Sequence, residues 1–179
     1  MADIDISSIA ANRGIPTDHI PVNVVPAKEG DIIRLGPITC RVMEDGSRTD
    51  NRIGVAEFTL PPNTKGPPAH WHEMHDEIFV TTAGTVRFHL PNPDSSQPEK
   101  LVDCAVGDLC TVPIRAPHTF SNPFDVEAKF INTYTPAFYI NYFKMMGEML
   151  EVGEAMTPAK NIQAMANFAT IPVKPSGPK

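Results

Sequence analysis

Apolar residues between Pro21 and Thr135 occur in short runs that are separated by Gly, Pro, Asn and Asp. The runs are rich in Val, Ile, Thr and Phe, a composition typical of β-strands. Ala83-Gly84 separates two of them, because glycine adopts the positive φ that a tight hairpin requires. The pattern predicts strands over Ile32–Leu35, Ile38–Met43, Ile53–Leu60, Glu77–Thr82, Thr85–Leu90, Leu109–Val112 and Ala128–Thr135.

The chain changes character after Pro136. Apolar residues follow helical spacing from Phe138 to Met149, and Thr157-Pro158 has the form of an N-cap followed by proline at the first helical position. We therefore predict a mainly β domain over residues 21–135 and a helical extension over 136–170 that packs on the same domain. Helices do not alternate with strands, which argues against a doubly wound α/β fold.

Length and charge narrow the classes of protein that the chain can belong to. Its 179 residues suit a single domain. Lys and Arg number 15 against 21 Asp and Glu, and this net charge of −6 argues against nucleic acid as a partner. No apolar run reaches the roughly 18 residues of a membrane span. Three cysteines without C-x-x-C spacing and an N-terminus that does not resemble a signal peptide predict a cytoplasmic protein.

Two histidines and a glutamate lie close together in one stretch of the chain. His70 and His72 are two positions apart, so in a strand both imidazoles lie on the same face, where they form half of a typical transition-metal site. Glu77 lies five positions after His72, an odd offset that requires a turn or bulge at residues 73–76 to bring the carboxylate to the same side. His118 supplies a further imidazole from a later stretch.

These two stretches resemble the two motifs of the cupin superfamily. His70, His72, Glu77 and Gly84 match the first motif, although only three residues separate Gly66 from His70 where the motif has five. The second motif is met by a glycine, a proline, a histidine and an asparagine in order, with Arg115 in the place of its internal glycine. The matching residues are Gly107, Pro113, His118 and Asn122.

The resemblance implies a single jelly-roll β-barrel with C-terminal helices. It also implies one divalent transition metal, Fe, Mn, Ni, Cu or Zn, held by His70, His72, Glu77 and His118. Three imidazoles and one carboxylate exclude a preference for calcium or magnesium but do not choose among these metals. His75 is expected at the surface or beside a ligand rather than as a ligand. Many proteins of this superfamily form dimers through the outer sheet, so a homodimer is a further expectation.

The resemblance extends to the quercetinase-type branch and implies a dioxygenase that cleaves a flavonol-like or other enol or hydroxy-aromatic substrate with O2. Glu77 would act as the general base, and Phe79 and Phe88 would supply apolar walls. Two alternatives stay open: a decarboxylase, isomerase or cyclase that acts on a small metabolite such as a carboxylate without O2, and a metal-binding or metabolite-binding protein without turnover. Fold alone does not choose between them.

Overall fold

The central strands of the protein, Gly54–Leu60 and Ala128–Thr135, alternate between buried and half-exposed residues, as expected where one face of a sheet covers a core. The computed structural model describes residues 20–92, 97–153 and 157–173. The stretch 91–100, which is polar and contains prolines and is therefore expected to form a surface loop, is described only in part. In chain order the strands are β1 (Asp31–Leu35), β2 (Ile38–Glu44), β3 (Gly54–Leu60), β4 (Thr64–Lys65), β5 (His70–His72), β6 (Asp76–Ala83), β7 (Thr85–Leu90), β8 (Lys100–Ala105), β9 (Leu109–Val112), β10 (Thr119–Asn122), β11 (Ala128–Thr135) and β12 (Thr170–Pro172).

Two antiparallel sheets enclose the core. One has the strand order β1-β2-β3-β11-β6-β9 and the other has the order β4-β10-β7-β8, while β5 pairs with β12 alone in a small third sheet. Aromatic rings fill the space between the two large sheets: Phe58 stacks on Phe130 with 5.1 Å between ring centroids, and Phe79 lies 5.3 Å from Phe130. The prediction of a mainly β jelly-roll fold is therefore confirmed.

Two helices follow the last strand of the large sheets. A 3-10 turn over Ala137–Tyr139 leads into α1 (Ile140–Glu151), and α2 (Pro158–Asn167) comes later. Thr157 is the N-cap of α2, because its hydroxyl oxygen accepts a hydrogen bond from the backbone N–H of Lys160. Among the described residues, no helix is long and apolar enough to cross a membrane.

The glycine positions of the two motifs have clear backbone roles. Gly84 adopts a φ of +62° between β6 and β7, and a Cβ atom there would collide with the carbonyl oxygen of Glu127. Arg115 occupies the position of the missing glycine and also has a positive φ, of +64°. Its side chain is 69% exposed and lies 2.7 Å from a carboxylate oxygen of Glu73. The turn therefore keeps the shape that glycine favours, and the arginine points to solvent.

Candidate metal centre

The structure brings together the four side chains that the motifs single out. His70 and His72 lie on β5, Glu77 lies near the start of β6, and His118 directly precedes β10. The chain between β5 and β6 leaves the strand conformation. Because of this break, Glu77 points inward like His72, although an odd number of positions separates the two residues. All four side chains are buried. Ligand atoms of the three histidines lie within 4.8 Å of one another.

Each of the three imidazoles has a defined orientation because its Nδ1 atom has a partner. His70 Nδ1 lies 2.8 Å from the carbonyl oxygen of Pro68, and His118 Nδ1 lies 3.0 Å from that of Ala116. A carbonyl oxygen only accepts, so each Nδ1 carries the hydrogen and each Nε2 keeps a free electron pair. The Nδ1 atom of His72 lies 2.9 Å from the hydroxyl oxygen of Thr170. Histidines that bind metals are commonly held in this way.

The carboxylate of Glu77 completes the cluster. Its Oε2 atom lies 3.1 Å from Nε2 of His72 and 3.0 Å from Nε2 of His118. Its Oε1 atom accepts a hydrogen bond of 3.0 Å from the side-chain amide of Asn132. One carboxylate oxygen is therefore held by the protein, and the other faces the histidines.

The pKa values of these groups reflect burial and close contact. Burial, together with the nearby His118 and His72, lowers the pKa of His70 to about 3, so its imidazole is neutral. Burial alone would raise the pKa of Glu77, but the two histidines that contact it hold that pKa well below its ordinary value. Burial likewise opposes the charged form of His118, yet Glu77 raises the pKa of His118. The cluster thus combines a buried carboxylate whose pKa is lowered with a neutral imidazole at His70.

This donor set fits a transition metal ion. Among the described buried side chains, Nε2 of His72 and Oε2 of Glu77 make no hydrogen bond of acceptable geometry, although they lie only 3.1 Å apart. Electron-pair donors that face one another in a buried space without a hydrogen between them are stabilised by a cation. Three imidazole nitrogens and one carboxylate oxygen are the ligands that Fe, Mn, Ni, Cu and Zn accept. His70, His72, Glu77 and His118 could therefore hold such an ion, whose identity the donor set leaves open.

His75 is not at the surface, so that part of the expectation for this residue is wrong. The side chain is 1% exposed, and its ring lies 4.0 Å from the ring of His72 and 4.5 Å from that of Tyr139. Neither of its ring nitrogens has a hydrogen-bond partner. His72, His75 and Glu77 form a second group whose donor atoms lie within 4.8 Å. His75 lies outside the two motifs that supply the other four side chains, and its ring is tilted by 36° against that of His72 and by 31° against that of Tyr139, so we interpret His75 as packing against a ligand.

An apolar cavity of about 240 Å³ opens beside the cluster. Glu77, His70 and His118 form part of its wall. Phe79 lines the cavity as predicted, whereas Phe88 is buried behind it, with its ring 5.1 Å from that of Phe79, and does not line the cavity. The remaining wall is mostly aromatic or aliphatic and includes Leu35, Ile38, Phe58, Phe120, Tyr134, Tyr139, Tyr142, Phe143, Met146 and Met165.

Both C-terminal helices contribute to this wall. Tyr142, Phe143 and Met146 come from α1, and Asn161 and Met165 come from α2. The helical extension therefore forms one side of the cavity and limits the space beside the cluster.

Comparison with known families supports the fold and the motifs. Residues 56–134 match the cupin domain family, and this stretch contains the four clustered side chains. No curated protein sequence matches the chain. Together with the jelly-roll architecture, the family match supports the cupin superfamily for the barrel.

Several solved structures share this architecture. A predicted oxalate decarboxylase from Thermotoga maritima is 21% identical, with a TM-score of 0.55 over 64% of this chain and 99% of that one. KdgF from Halomonas sp. is 17% identical, with a TM-score of 0.53 over 64% of this chain and 94% of that one. A cupin 2 conserved barrel domain protein from Salinispora arenicola is 14% identical, with a TM-score of 0.51 over 70% and 98% of the two chains. At these identities the similarity concerns the fold alone.

Proposed function

We propose that the protein is a metal-dependent dioxygenase that acts on a small enol or hydroxy-aromatic substrate. The observation that carries this proposal is the position of Glu77, a buried carboxylate at the wall of a mostly aromatic cavity. A divalent transition metal bound by His70, His72, Glu77 and His118 would supply Lewis-acid polarisation of the substrate and a route for electrons to O2.

Glu77 is the residue suited to accept the substrate proton. It is buried at the cavity wall, and the two histidines that contact it lower its pKa, so that the carboxylate is ionised at neutral pH and can accept a proton. Asn132 holds Oε1, so that Oε2 is the atom left to take the proton of a substrate hydroxyl. Removal of that proton raises the electron density of the enolate, which then supplies the electrons that reduce O2. Both oxygen atoms enter the product, so no external reductant is required.

The size of the cavity indicates the size of the substrate. Cavities that hold drug-sized ligands usually measure about 300–1,000 Å³, and this one measures about 240 Å³. A three-ring flavonol is therefore a poorer match than a substrate with one ring. The aromatic wall favours a flat, apolar ring that presents a single hydroxyl or enol oxygen toward Glu77.

A decarboxylase or isomerase that does not use O2 is the second candidate. Lys65 lies at the edge of the cavity and supplies a cation that suits a carboxylate substrate. Similar structures include a predicted oxalate decarboxylase and an oxalate oxidase. The apolar wall is nevertheless a poor environment for a small dianion such as oxalate, because burial of charge without full pairing is costly.

Oxygen uptake separates the candidates. The purified protein, loaded with each of the five metals in turn, is tested against catechols, one-ring enols, a flavonol and small carboxylates. The dioxygenase proposal expects O2 consumption with a one-ring hydroxy-aromatic or enol, and loss of that activity in Glu77→Gln. Product formation under argon would instead favour the second candidate. Binding of these compounds without any turnover would indicate a protein that only binds its ligand.

A further inference from the structure

The strand that carries two of the four clustered side chains is held by the C-terminal end of the described chain. β5 pairs antiparallel with β12, with Thr170 opposite His72 and Pro172 opposite His70. Two further backbone hydrogen bonds extend this pairing, from Glu73 N to the carbonyl oxygen of Ala169 at 2.9 Å and from Val173 N to that of Ala69 at 2.8 Å. On its other side β5 forms an isolated bridge between His70 and His118, and the backbone N–H of Arg115 donates a hydrogen bond of 2.8 Å to the carbonyl oxygen of His72.

Thr170 contacts the ring of His72 directly. Its side chain is fully buried, and its hydroxyl oxygen lies 2.9 Å from Nδ1 of His72. The same hydroxyl donates a hydrogen bond of 3.2 Å to the carbonyl oxygen of Phe168. With its hydrogen directed at Phe168, the oxygen is free to accept the hydrogen of His72 Nδ1, and we assign the bond in that direction. This arrangement leaves Nε2 of His72 with its electron pair facing Glu77.

His72 differs in this respect from the two other histidines. His70 and His118 each use a carbonyl oxygen two positions earlier in the chain, so their orientation is set by local backbone. His72 relies on a residue 98 positions away in the sequence. Its orientation is therefore set by tertiary structure.

The segment that presents Thr170 is itself anchored to the barrel. We name residues 157–173 the C-terminal clip. Within it, Ala164 and Met165 are buried, and the ring of Phe168 lies 5.2 Å from that of Phe138 and 5.7 Å from that of Tyr142. The clip lies outside residues 56–134, which match the cupin domain family.

We propose that Thr170 is a positioning residue for the metal centre, and that the C-terminal clip is an integral part of that centre. Thr170 fixes the hydrogen of His72 on Nδ1, and β12 holds β5 so that His70 and His72 face Glu77. This inference rests on the proposed metal site. Thr170 is not itself a ligand, because it contacts the side of the His72 ring that faces away from Glu77.

Replacement of Thr170 is expected to weaken metal binding without removing a ligand. Loss of the partner of a metal-binding histidine typically lowers affinity by about 10- to 100-fold. Thr170→Val keeps the branched shape but removes the acceptor, and Thr170→Ser keeps the acceptor. Thr82→Val, at an exposed position of β6, is the matched control.

Two measurements test the inference. Competition with a chelator gives the Co2+ affinity, and the visible spectrum of bound Co2+ reports the geometry of its ligands. We expect Thr170→Val to bind Co2+ about 10- to 100-fold more weakly with an altered spectrum, and Thr170→Ser and Thr82→Val to match the wild type. Equal affinity in Thr170→Val and Thr82→Val would overturn the inference.

The second measurement does not need a metal. The ring nitrogen chemical shifts of His72, read by NMR in the metal-free protein, should show hydrogen on Nδ1 in the wild type and in Thr170→Ser, and a shift toward hydrogen on Nε2 in Thr170→Val. If His72 carried its hydrogen on Nδ1 in Thr170→Val as well, Thr170 would not position His72, even if the wild type binds a metal ion. Failure of the wild type to bind any ion would overturn the proposed function, and the tautomer measurement would still decide on Thr170.

Discussion

Asn132 donates a hydrogen bond of 3.0 Å from its side-chain amide to Oε1 of Glu77, across the inner faces of the adjacent strands β11 and β6. The two residues are 2% and 3% exposed, so water does not compete for this contact. The same amide also donates to the hydroxyl oxygen of Tyr134 at 2.8 Å. The bond leaves only Oε2 of Glu77 directed at the histidines.

Asn132→Leu should therefore destabilise the protein, because it leaves one oxygen of an ionised, buried carboxylate without a donor. Hydrogen bonds to charged groups contribute about 1.5–3 kcal/mol, and we expect a loss of that size in the free energy of unfolding in urea. Asn161→Leu, at a half-buried position of α2, is the control and should lose less. Equal losses in the two variants would show that the contact to Glu77 contributes no specific stability.

His75 should be replaceable by phenylalanine without loss of metal. Phenylalanine keeps the stacking on His72 and Tyr139 and removes two buried nitrogens that have no partner, each of which costs about 1–3 kcal/mol. We expect the thermal midpoint of His75→Phe to equal or exceed that of the wild type, with unchanged metal content. His75→Ala, which leaves a cavity, should be less stable. Loss of the ion in His75→Phe would instead identify His75 as a ligand.

The strand pattern and the four clustered side chains could be predicted from the sequence because their signals are local. The alternation of buried and half-exposed residues in β3 and β11 follows from the geometry of a single strand. The positions of His70, His72 and Glu77 follow from one strand and the break in the strand after it. Asn132 also had a local signal: it is a polar residue between Phe130 and Tyr134 on the buried face of β11.

The C-terminal part of the site could not be predicted in this way. β12 has only three residues, and its partner β5 is distant in the sequence, so no local pattern marks either the strand or the contact between Thr170 and His72. Ile162 illustrates the same limit. Ile162 and Met165 are both apolar and lie three positions apart on one helix, yet Ile162 is 51% exposed while Met165 is 2% exposed. The packing of α2 on the barrel decides which of its faces is covered.

Gly147 allows α1 to approach β1 of the six-stranded sheet closely. A Cβ atom at this position would lie 2.6 Å from Cγ2 of Ile33 on β1. Helix propensity alone would make Gly147→Ala stabilising by about 1 kcal/mol, but overpacking costs typically about 1–3 kcal/mol. We therefore expect Gly147→Ala to lower the free energy of unfolding.

A double-mutant cycle with Ile33→Ala tests whether contact with the Ile33 side chain causes this loss of stability. Removal of the Cγ2 methyl group of Ile33 should recover part of the unfolding free energy that Gly147→Ala loses. Strict additivity of the two single substitutions would contradict it.

Asp45 links the turn after β2 to α1 through Lys144, with 2.6 Å between Oδ2 and Nζ. The hydrogen bond from Lys144, followed by those from Ser47, lowers the pKa of Asp45 below its ordinary value of about 3.9. A lowered pKa in the folded state gives stabilisation that is present above the unfolded pKa and is lost as the pH falls below it. Both side chains are about one-third exposed, so the effect is small and is screened by salt.

Asp45→Asn should accordingly lower the thermal midpoint slightly at pH 7 and lose less stability than the wild type between about pH 4 and pH 2. Asp125→Asn, at an exposed position, is the control. If the wild type and Asp45→Asn lost the same stability as the pH falls, the ion pair between Asp45 and Lys144 would have no effect on stability.

Metal analysis of protein purified without added metal tests the convergence of the four side chains most directly. We predict one ion per chain in the wild type and in His89→Ala, since His89 contacts Ser121 and Glu99 away from the cluster. His70→Ala and His118→Ala should remain folded and lose that ion. An unchanged metal content in both of these variants would contradict the metal site and the function proposed from it.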